Sequence, residues 1–106
     1  MDEPGREAVA GHIFCDVPRF TLGVLVATPG AIAVMDRTGM TADILLRRHQ
    51  AGEWGDVPPE DAQENEFAIG RELRILSSYN ANDADRLWIL TEADRSATTI
   101  LTPDEY

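Results

Sequence analysis

The sequence predicts a small α+β domain with an N-terminal strand, two or three short helices and then a three-stranded antiparallel meander. Three observations predict this class. A short apolar run comes first, segments with helical spacing and capping residues follow, and apolar residues alternate with others in the last third. The 106 residues suit one domain with a single core.

The predicted domain spans residues 20–106, and residues 1–19 are expected to form a flexible or loosely docked N-terminal extension. Glycines and prolines interrupt this lead-in, and its periodicity is weak. Its apolar segment, Ile13-Phe14-Cys15, is expected to add a short strand or to dock on the core.

A strand and a helix begin the domain. Residues 22–27 form a nearly continuous apolar run, which is typical of a buried strand. Thr28 can cap the next helix, and Pro29 suits its first position, where no N–H is needed. Gly39 can adopt the left-handed conformation that ends a helix, so we expect the helix to stop there.

Two further helices are predicted before the sheet. Thr41 is a second N-cap, and the helix after it has one apolar side that also carries His49. Gly52 is expected to end that helix. A third helix is expected over residues 58–69, closed by Gly70.

The last third of the chain predicts three antiparallel strands. Apolar residues alternate with others over residues 73–79, 87–91 and 98–101, and turn formers lie between these segments. Both faces of the strand around Trp88 are apolar, which places that strand centrally. Pro103 is expected to end the sheet, because proline cannot donate to a strand ladder.

The charge balance restricts the classes of partner. Nineteen acidic residues face nine basic ones, all of them Arg, and the formal net charge is −10. Direct nucleic acid binding is not expected, because such binding depends on cationic groups that displace counterions from phosphates. An acidic surface instead attracts a basic partner, such as a host protein or a nucleoprotein complex that itself binds nucleic acid.

The negative charge is densest between Arg48 and Arg71, an interval without any basic residue. Acidic groups in the first turn of a helix complement its dipole, but this does not account for those further along. We therefore predict that this stretch binds the partner. Its acidic residues are Glu53, Asp56, Glu60, Asp61, Glu64 and Glu66.

The sequence predicts no metal site, no cofactor and no membrane span. Cys15 is the only cysteine, and His12 and His49 lack the spacing of a zinc site. No apolar run approaches the ~20 residues that cross a bilayer. The acidic N-terminus is unlike a signal peptide, so a cytoplasmic protein is expected.

The predicted hairpin over residues 91–99 concentrates carboxylates, hydroxyls and one guanidinium. A carboxylate and an Arg can act on a phosphodiester as general base and as stabiliser of developing charge. A structural interpretation is also open. In it, Asp94 and Ser96 bond their own backbone, and Glu92 pairs with Arg95 across the turn.

An enzymatic alternative places the site near residues 92–96. His49 and Glu92 would act as acid and base, while Arg95 and Tyr79 would stabilise charge. His49 also has a structural interpretation, because an imidazole on the apolar side of a helix is commonly semi-buried with its hydrogen bonds satisfied. If the four side chains converge in a cleft, the enzymatic alternative gains support.

From Val26 onward, the chain resembles a family of small uncharacterised proteins carried by bacterial plasmids and integrative elements. The most specific block begins at Trp88 and reads WILTEADRSATTIL. The resemblance implies a mobile-element setting and carries no catalytic residues. It rests on residues 27–31, 48–56, 74–79, 88–101 and 103–106.

Two hypotheses of function follow. The first is a non-enzymatic acidic protein-binding factor of a mobile genetic element, an inhibitor of host defence of the anti-CRISPR or anti-restriction type. It would block a basic nucleic-acid-binding surface. The alternative is a small nuclease or hydrolase, or a component of a toxin–antitoxin pair.

Overall fold

A computed structural model describes residues 18–106 of the protein. The expectations for residues 1–17, a loosely attached lead-in with an apolar docking segment, lie outside the described residues. Arg19 is already attached to the domain, because its backbone N–H donates to the carbonyl of Gln50 at 2.9 Å.

The first strand and helix follow each other as predicted. Strand β1 (Val24–Ala27) leads directly into helix α1 (Pro29–Thr38). Thr28 Oγ1 accepts a hydrogen bond from the N–H of Ala31 at 3.1 Å, and Gly39 adopts a left-handed φ of 79°. Both predicted helix ends are therefore confirmed.

Helices α2 (Ala42–Ala51) and α3 (Pro59–Ala68) complete the helical part. Thr41 caps α2, and Gly52 ends it with a left-handed φ of 86°, as predicted. Helix α3 begins at Pro59 and ends at Ala68, two residues before Gly70. Gly70 is therefore not the residue that ends the helix, contrary to the prediction.

Three strands follow: β2 (Ile75–Asn80), β3 (Arg86–Thr91) and β4 (Ala97–Leu101). The β2–β3 and β3–β4 pairs are antiparallel. Strand β3 lies inside the sheet, which confirms the central position predicted for the strand of Trp88. A short 3-10 turn over Pro103–Glu105 follows the last strand.

The complete sheet is mixed and has four strands in the order β1-β4-β3-β2. Strand β1 pairs with β4 in parallel. The α+β class is confirmed, but the description of a three-stranded antiparallel sheet is wrong, because β1 joins its edge. The helices between β1 and the later strands return the chain, as a parallel pair requires. An apolar run does not encode its partner strand or direction.

The burial predicted for β1 is also wrong. Its first three residues, Val24, Leu25 and Val26, are 67%, 56% and 46% exposed. The reason is the position of the strand: in the described part of the chain, β1 is an outer strand of the sheet with a neighbour on one side only. Apolar composition alone does not separate an outer strand from an inner one.

The core lies between the helices and one face of the sheet. The larger cluster joins α1 and α2 to the three longer strands and includes Leu45, Tyr79 and Ile89. A smaller cluster packs Phe20 and Trp54 against Ile75, beside α3. Both clusters hold the helices on the sheet and so position the surfaces described below.

The outer edge of β2 is covered by side-chain and backbone groups. The side-chain amide of Asn65 accepts from the N–H of Leu76 at 3.1 Å and donates to its carbonyl at 2.8 Å. Two residues along, Ser78 donates to the carbonyl of Trp54 at 3.0 Å and accepts from the N–H of Asp56 at 2.6 Å. The outward peptide groups of Leu76 and Ser78, in the middle of the strand, are therefore paired.

Candidate functional site

The six predicted partner-binding carboxylates lie on α3 and on the segment before it, and all six are exposed. Three of them are paired. Glu53 lies 3.5 Å from Arg48, and Asp56 contacts Asn80 and lies 3.8 Å from Arg86.

Glu66 is the most strongly held of these carboxylates. It binds the guanidinium of Arg19 through both oxygens, at 2.6 and 2.9 Å, and accepts from Trp54 Nε1 at 3.2 Å. The hydrogen bond from Arg19 is the main cause that lowers the pKa of Glu66 below its ordinary value. Glu66 therefore anchors the residues before β1 and the turn after α2 to α3.

The remaining three carboxylates, Glu60, Asp61 and Glu64, make no hydrogen bond or ion pair with any other residue in the described part of the chain. We call them the acidic face of α3. Phe67 lies one turn further along the helix; it is 55% exposed, and the guanidinium of Arg71 stacks 4.0 Å from its ring centre.

The exposure of this face follows from the way in which α3 packs. The helix buries only Asn65 and Ala68, so most of its circumference faces solvent. Asp61 and Glu64 border a shallow cleft of about 200 Å³, beside Arg74. The acidic face is thus carried by an ordered helix, and Asp61 and Glu64 border the side through which Asn65 and Ala68 attach that helix to the sheet.

His49 occupies the core and is fully buried. Its Nδ1 lies 2.6 Å from Ser77 Oγ, and its Nε2 lies 2.9 Å from Thr91 Oγ1. The chain of hydroxyls continues to Thr98, at 2.8 Å, which donates to the carbonyl of Leu22. Burial lowers the pKa of the imidazole to about 3. His49 is therefore a neutral structural group, more deeply buried than the semi-buried position expected.

Tyr79 is also a core residue, with 2% of its surface exposed. Its hydroxyl donates to the carbonyl of Glu53 at 2.6 Å, and the guanidinium of Arg48 stacks 4.5 Å from its ring centre. Burial raises the pKa of the phenol to about 12. These contacts secure the turn after α2 to strand β2.

The guanidinium of Arg95 binds backbone carbonyls. It donates to the carbonyls of Ala68, Leu73, Glu92 and Ala93, at 2.7 to 3.1 Å. One guanidinium therefore joins the end of α3, the segment before β2 and the hairpin. With all these donor bonds directed at the backbone, Arg95 has a clear structural role.

The hairpin follows the structural interpretation in part. Asp94 Oδ1 accepts from the N–H of Ser96 at 2.9 Å, as that interpretation predicts. The expected ion pair between Glu92 and Arg95 is wrong, because the carboxylate of Glu92 lies 3.5 Å from Arg74 instead. Arg74 comes from the segment just before β2, a pairing that local sequence does not indicate.

The four residues of the enzymatic alternative thus each engage other groups. The ring of His49 is hydrogen-bonded to hydroxyl groups, and the side chains of Tyr79 and Arg95 donate to backbone carbonyls. Glu92 forms an ion pair with Arg74. Within residues 18–106, no hydrogen bond or ion pair joins the side chains of any two of them. The structure therefore provides no acid–base pair among these groups.

Several anchoring residues were not predicted from the sequence, although Glu105 has the Thr-x-x-Glu spacing of a capping box with Thr102. Glu105 is the clearest: its carboxylate accepts from the hydroxyl of Thr28, from the N–H of Gly30 at 3.0 Å and from the N–H of Thr102 at 2.9 Å. These hydrogen bonds, that from Thr28 first, lower the pKa of Glu105 to about 2. The tail therefore closes the start of α1, 75 residues earlier in the chain.

Two further findings concern metals and membranes. In the part of the chain that the structure describes, no group of three or more His, Cys, Asp or Glu side chains could hold a metal ion. His12 and Cys15 lie outside that part. None of the helices between residues 18 and 106 is long and apolar enough to cross a membrane.

Comparisons with known proteins assign no family. No protein-family model matches the chain, and neither a curated protein nor a solved structure matches it.

Proposed function

We propose that the protein is a non-enzymatic acidic binding factor whose acidic face of α3 docks on a basic protein surface. One observation carries this proposal: Glu60, Asp61 and Glu64 are exposed together on one ordered helix, with no partner among the described residues. Their charge is therefore available to an external cation, in a chain whose net charge is −10.

The ion pairs within the chain reduce the predicted binding surface from six carboxylates to three. Glu53, Asp56 and Glu66 each form an ion pair with an arginine of the same chain, and that of Glu66 is bidentate. Asp61 and Glu64 share a cleft with Arg74 but form no ion pair with it. A partner's cation gains less from a carboxylate that is already neutralised nearby. The three carboxylates of the acidic face form the centre of the proposed site, and the paired ones lie at its border.

The class of partner follows from charge and from the resemblance to mobile-element proteins. A basic groove that normally binds nucleic acid presents closely spaced Arg and Lys groups, which a row of carboxylates on a helix can occupy. The proposed setting is the cytoplasm of a bacterium, and the proposed target is a CRISPR or restriction nucleoprotein complex. Binding would exclude DNA from the groove.

The nuclease or hydrolase alternative has less support. A general base needs access to substrate and a pKa near the working pH, whereas His49 is fully buried with a pKa of about 3. An acidic chain also repels the phosphates that such an enzyme would attract. A role as the neutralising member of a toxin–antitoxin pair would use the same acidic face, with a basic toxin as partner.

The test is a binding assay with purified CRISPR effector and restriction complexes, at low and high salt. The triple variant Glu60→Gln, Asp61→Asn, Glu64→Gln removes the charges of the acidic face without altering any described contact. We expect the wild type to compete with DNA at low salt and to lose affinity steeply as salt rises. The triple variant should bind at least about 10-fold more weakly.

A matched control removes three exposed charges elsewhere: Asp36→Asn, Glu72→Gln and Asp83→Asn. These side chains also lack described partners, so the two triple variants have the same net charge. If the control loses as much affinity as the test variant, net charge alone drives binding and the proposed site is wrong. If no complex binds the wild type at low salt, the proposed partner class is wrong.

A further inference from the structure

Among residues 18–106, nothing pairs with the outer edge of β1, unlike that of β2. Val24 donates to the carbonyl of Ser96 at 2.9 Å, and Thr28 donates to that of Ile100 at 3.0 Å, so the even-numbered residues of this segment face β4. The N–H and C=O groups of Leu25 and Ala27 consequently face away from the sheet. They bond to no other residue within 18–106.

The two chain segments that form this edge are uncharged themselves, and the carboxylate of Glu105 lies at its end, on Thr28 and Gly30. Residues 20–35 contain no charged side chain, and neither do residues 96–103, which include β4. In a chain of net charge −10, this region is an exception. Contact here therefore depends on backbone hydrogen bonds and apolar burial, in contrast to the charged face of α3.

Small side chains leave a depression beside the open edge. A cavity of about 120 Å³ lies between β1 and α2, with mostly apolar walls. Leu25 and Ala27 border it from the strand, while Ala42 and Leu46 border it from the helix. The two alanines leave room for an apolar side chain that approaches from beyond the edge.

We propose that a second copy of this chain occupies the edge, by antiparallel pairing of β1 with the same strand of the other molecule. With Val26 on the two-fold axis, Leu25 of one copy lies opposite Ala27 of the other. The outward N–H and C=O groups of both residues then form four hydrogen bonds between the copies. The Leu25 side chain of each copy lies over Ala27 of its neighbour, at the mouth of the cavity.

The opposite edge sets the size of the assembly. Asn65 and the segment from Trp54 to Asp56 already pair the outward groups of Leu76 and Ser78, so these groups of β2 are not available to a further strand. Pairing through β1 alone closes after two copies, as a two-fold interface does. The sheet therefore grows from four strands to eight and stops.

Size and charge predict the strength of this dimer. Two paired strands of four residues each bury a small interface, which we expect to fall below the roughly 1,200 Å² of stable interfaces, so the dimer should dissociate on dilution. Each copy carries a net charge of −10, and the copies repel one another until salt screens them. The dimer should strengthen with salt, whereas binding through the acidic face of α3 should weaken.

Sedimentation velocity of the full chain over a range of concentrations tests the proposal, with amide hydrogen exchange by NMR beside it. We expect a monomer–dimer equilibrium that shifts toward dimer as salt rises. Exchange at the amides of Leu25 and Ala27 should slow as the protein concentration increases. The amides of Val24 and Val26, which face β4, should be protected at every concentration.

Two variants of equal charge locate the interface. Leu25→Arg introduces a cation at the proposed contact and should weaken dimerisation at least about 10-fold, with an unchanged circular dichroism spectrum. Phe67→Arg changes an equally exposed side chain on α3, at the opposite edge of the sheet, and should leave the dimer intact. A dimer that survives Leu25→Arg places the interface elsewhere and overturns the proposal.

A protein that stays monomeric at every concentration and salt also overturns it. Amide hydrogen exchange at Leu25 and Ala27 then shows whether another part of the chain covers the edge of β1. If the Leu25 and Ala27 amides are protected in that monomer and Phe14→Asp exposes them, residues 1–17 of the same chain cover the edge. If they exchange freely, the edge is open in solution and is left to a partner other than this chain.

Discussion

The two outer strands of the sheet differ in whether their outward peptide groups are hydrogen-bonded. Along β2, an asparagine side chain and a parallel backbone bridge at Gly55 pair the outward peptide groups of Leu76 and Ser78. Along β1, the outward groups of Leu25 and Ala27 have no partner among the described residues. Yet β1 has the more continuously apolar sequence. Apolarity therefore does not indicate which edge a protein closes.

Most of the side-chain bonds that join the helices to the sheet also lie near the β2 edge. Glu66 joins Arg19 and Trp54 to α3, and Tyr79 holds the carbonyl of Glu53. His49 adds hydrogen bonds from α2 to β2 and β3. At the open edge, β1 has one strand neighbour within the described residues, so substitutions on the two sides should differ in their effect on stability.

The largest effect is expected at Asn65, which closes the β2 edge. Asn65→Leu keeps a similar volume but leaves the partly buried N–H and C=O of Leu76 without partners, so each group should cost an amount in the lower half of the about 1–3 kcal/mol of a fully buried one. We expect the free energy of unfolding, measured by urea denaturation, to fall by about 3 kcal/mol.

Gln63→Leu provides the control for that substitution, because residue 63 is an exposed position of the same helix. It should change the free energy of unfolding by less than about 0.5 kcal/mol. Equal losses in the two variants would mean that the asparagine bonds do not hold the edge.

A smaller and pH-dependent effect is expected from His49. In the folded chain its pKa is about 3, against an ordinary value of 6.5, because burial disfavours the charged imidazole. Between these values the unfolded chain binds a proton that the folded chain does not. The free energy of unfolding should therefore fall as pH decreases below 6.5, by up to about 1.4 kcal/mol per pH unit.

Urea denaturation at several pH values between 7 and 5 measures this slope. His12→Gln removes the other histidine, so the slope that persists in this variant belongs to His49. A stability that stays constant over the same range would contradict the burial of a neutral imidazole.

The smallest effect is expected on the open edge. Val24 is an apolar strand residue, but it is 67% exposed. Val24→Thr should lower the free energy of unfolding by less than about 0.5 kcal/mol. Ile75→Thr, the same kind of change in the fully buried first residue of β2, should lower it by about 2 kcal/mol or more. Similar losses in the free energy of unfolding at both positions would contradict the expected difference between the two edges.

The elements were predictable where their signals are local. Thr28, Gly39, Thr41 and Gly52 fixed the ends of two helices because caps and left-handed positions act within a few residues. The alternation of the last third likewise predicted three strands and the central position of β3. These features depend on neighbours in sequence.

The candidate site was predictable only in outline. The density of carboxylates between Arg48 and Arg71 is visible in the sequence, but the arginines that neutralise some of them are not. Arg19 reaches Glu66 across 47 positions, and Arg86 reaches Asp56 from the start of β3. Such partners are chosen by packing, so only the structure distinguishes paired carboxylates from available ones.

By itself, the sequence determined the α+β class, the capped helices, the three alternating strands and the location of the acidic stretch. The tertiary structure alone decided that β1 runs parallel to β4 at an exposed edge, that His49 is a buried neutral group, and that Arg95 serves backbone carbonyls. The physical reason is the separation in sequence between the groups that interact. Caps and periodicity act over a few residues, whereas strand order, desolvation and ion pairing join groups tens of residues apart.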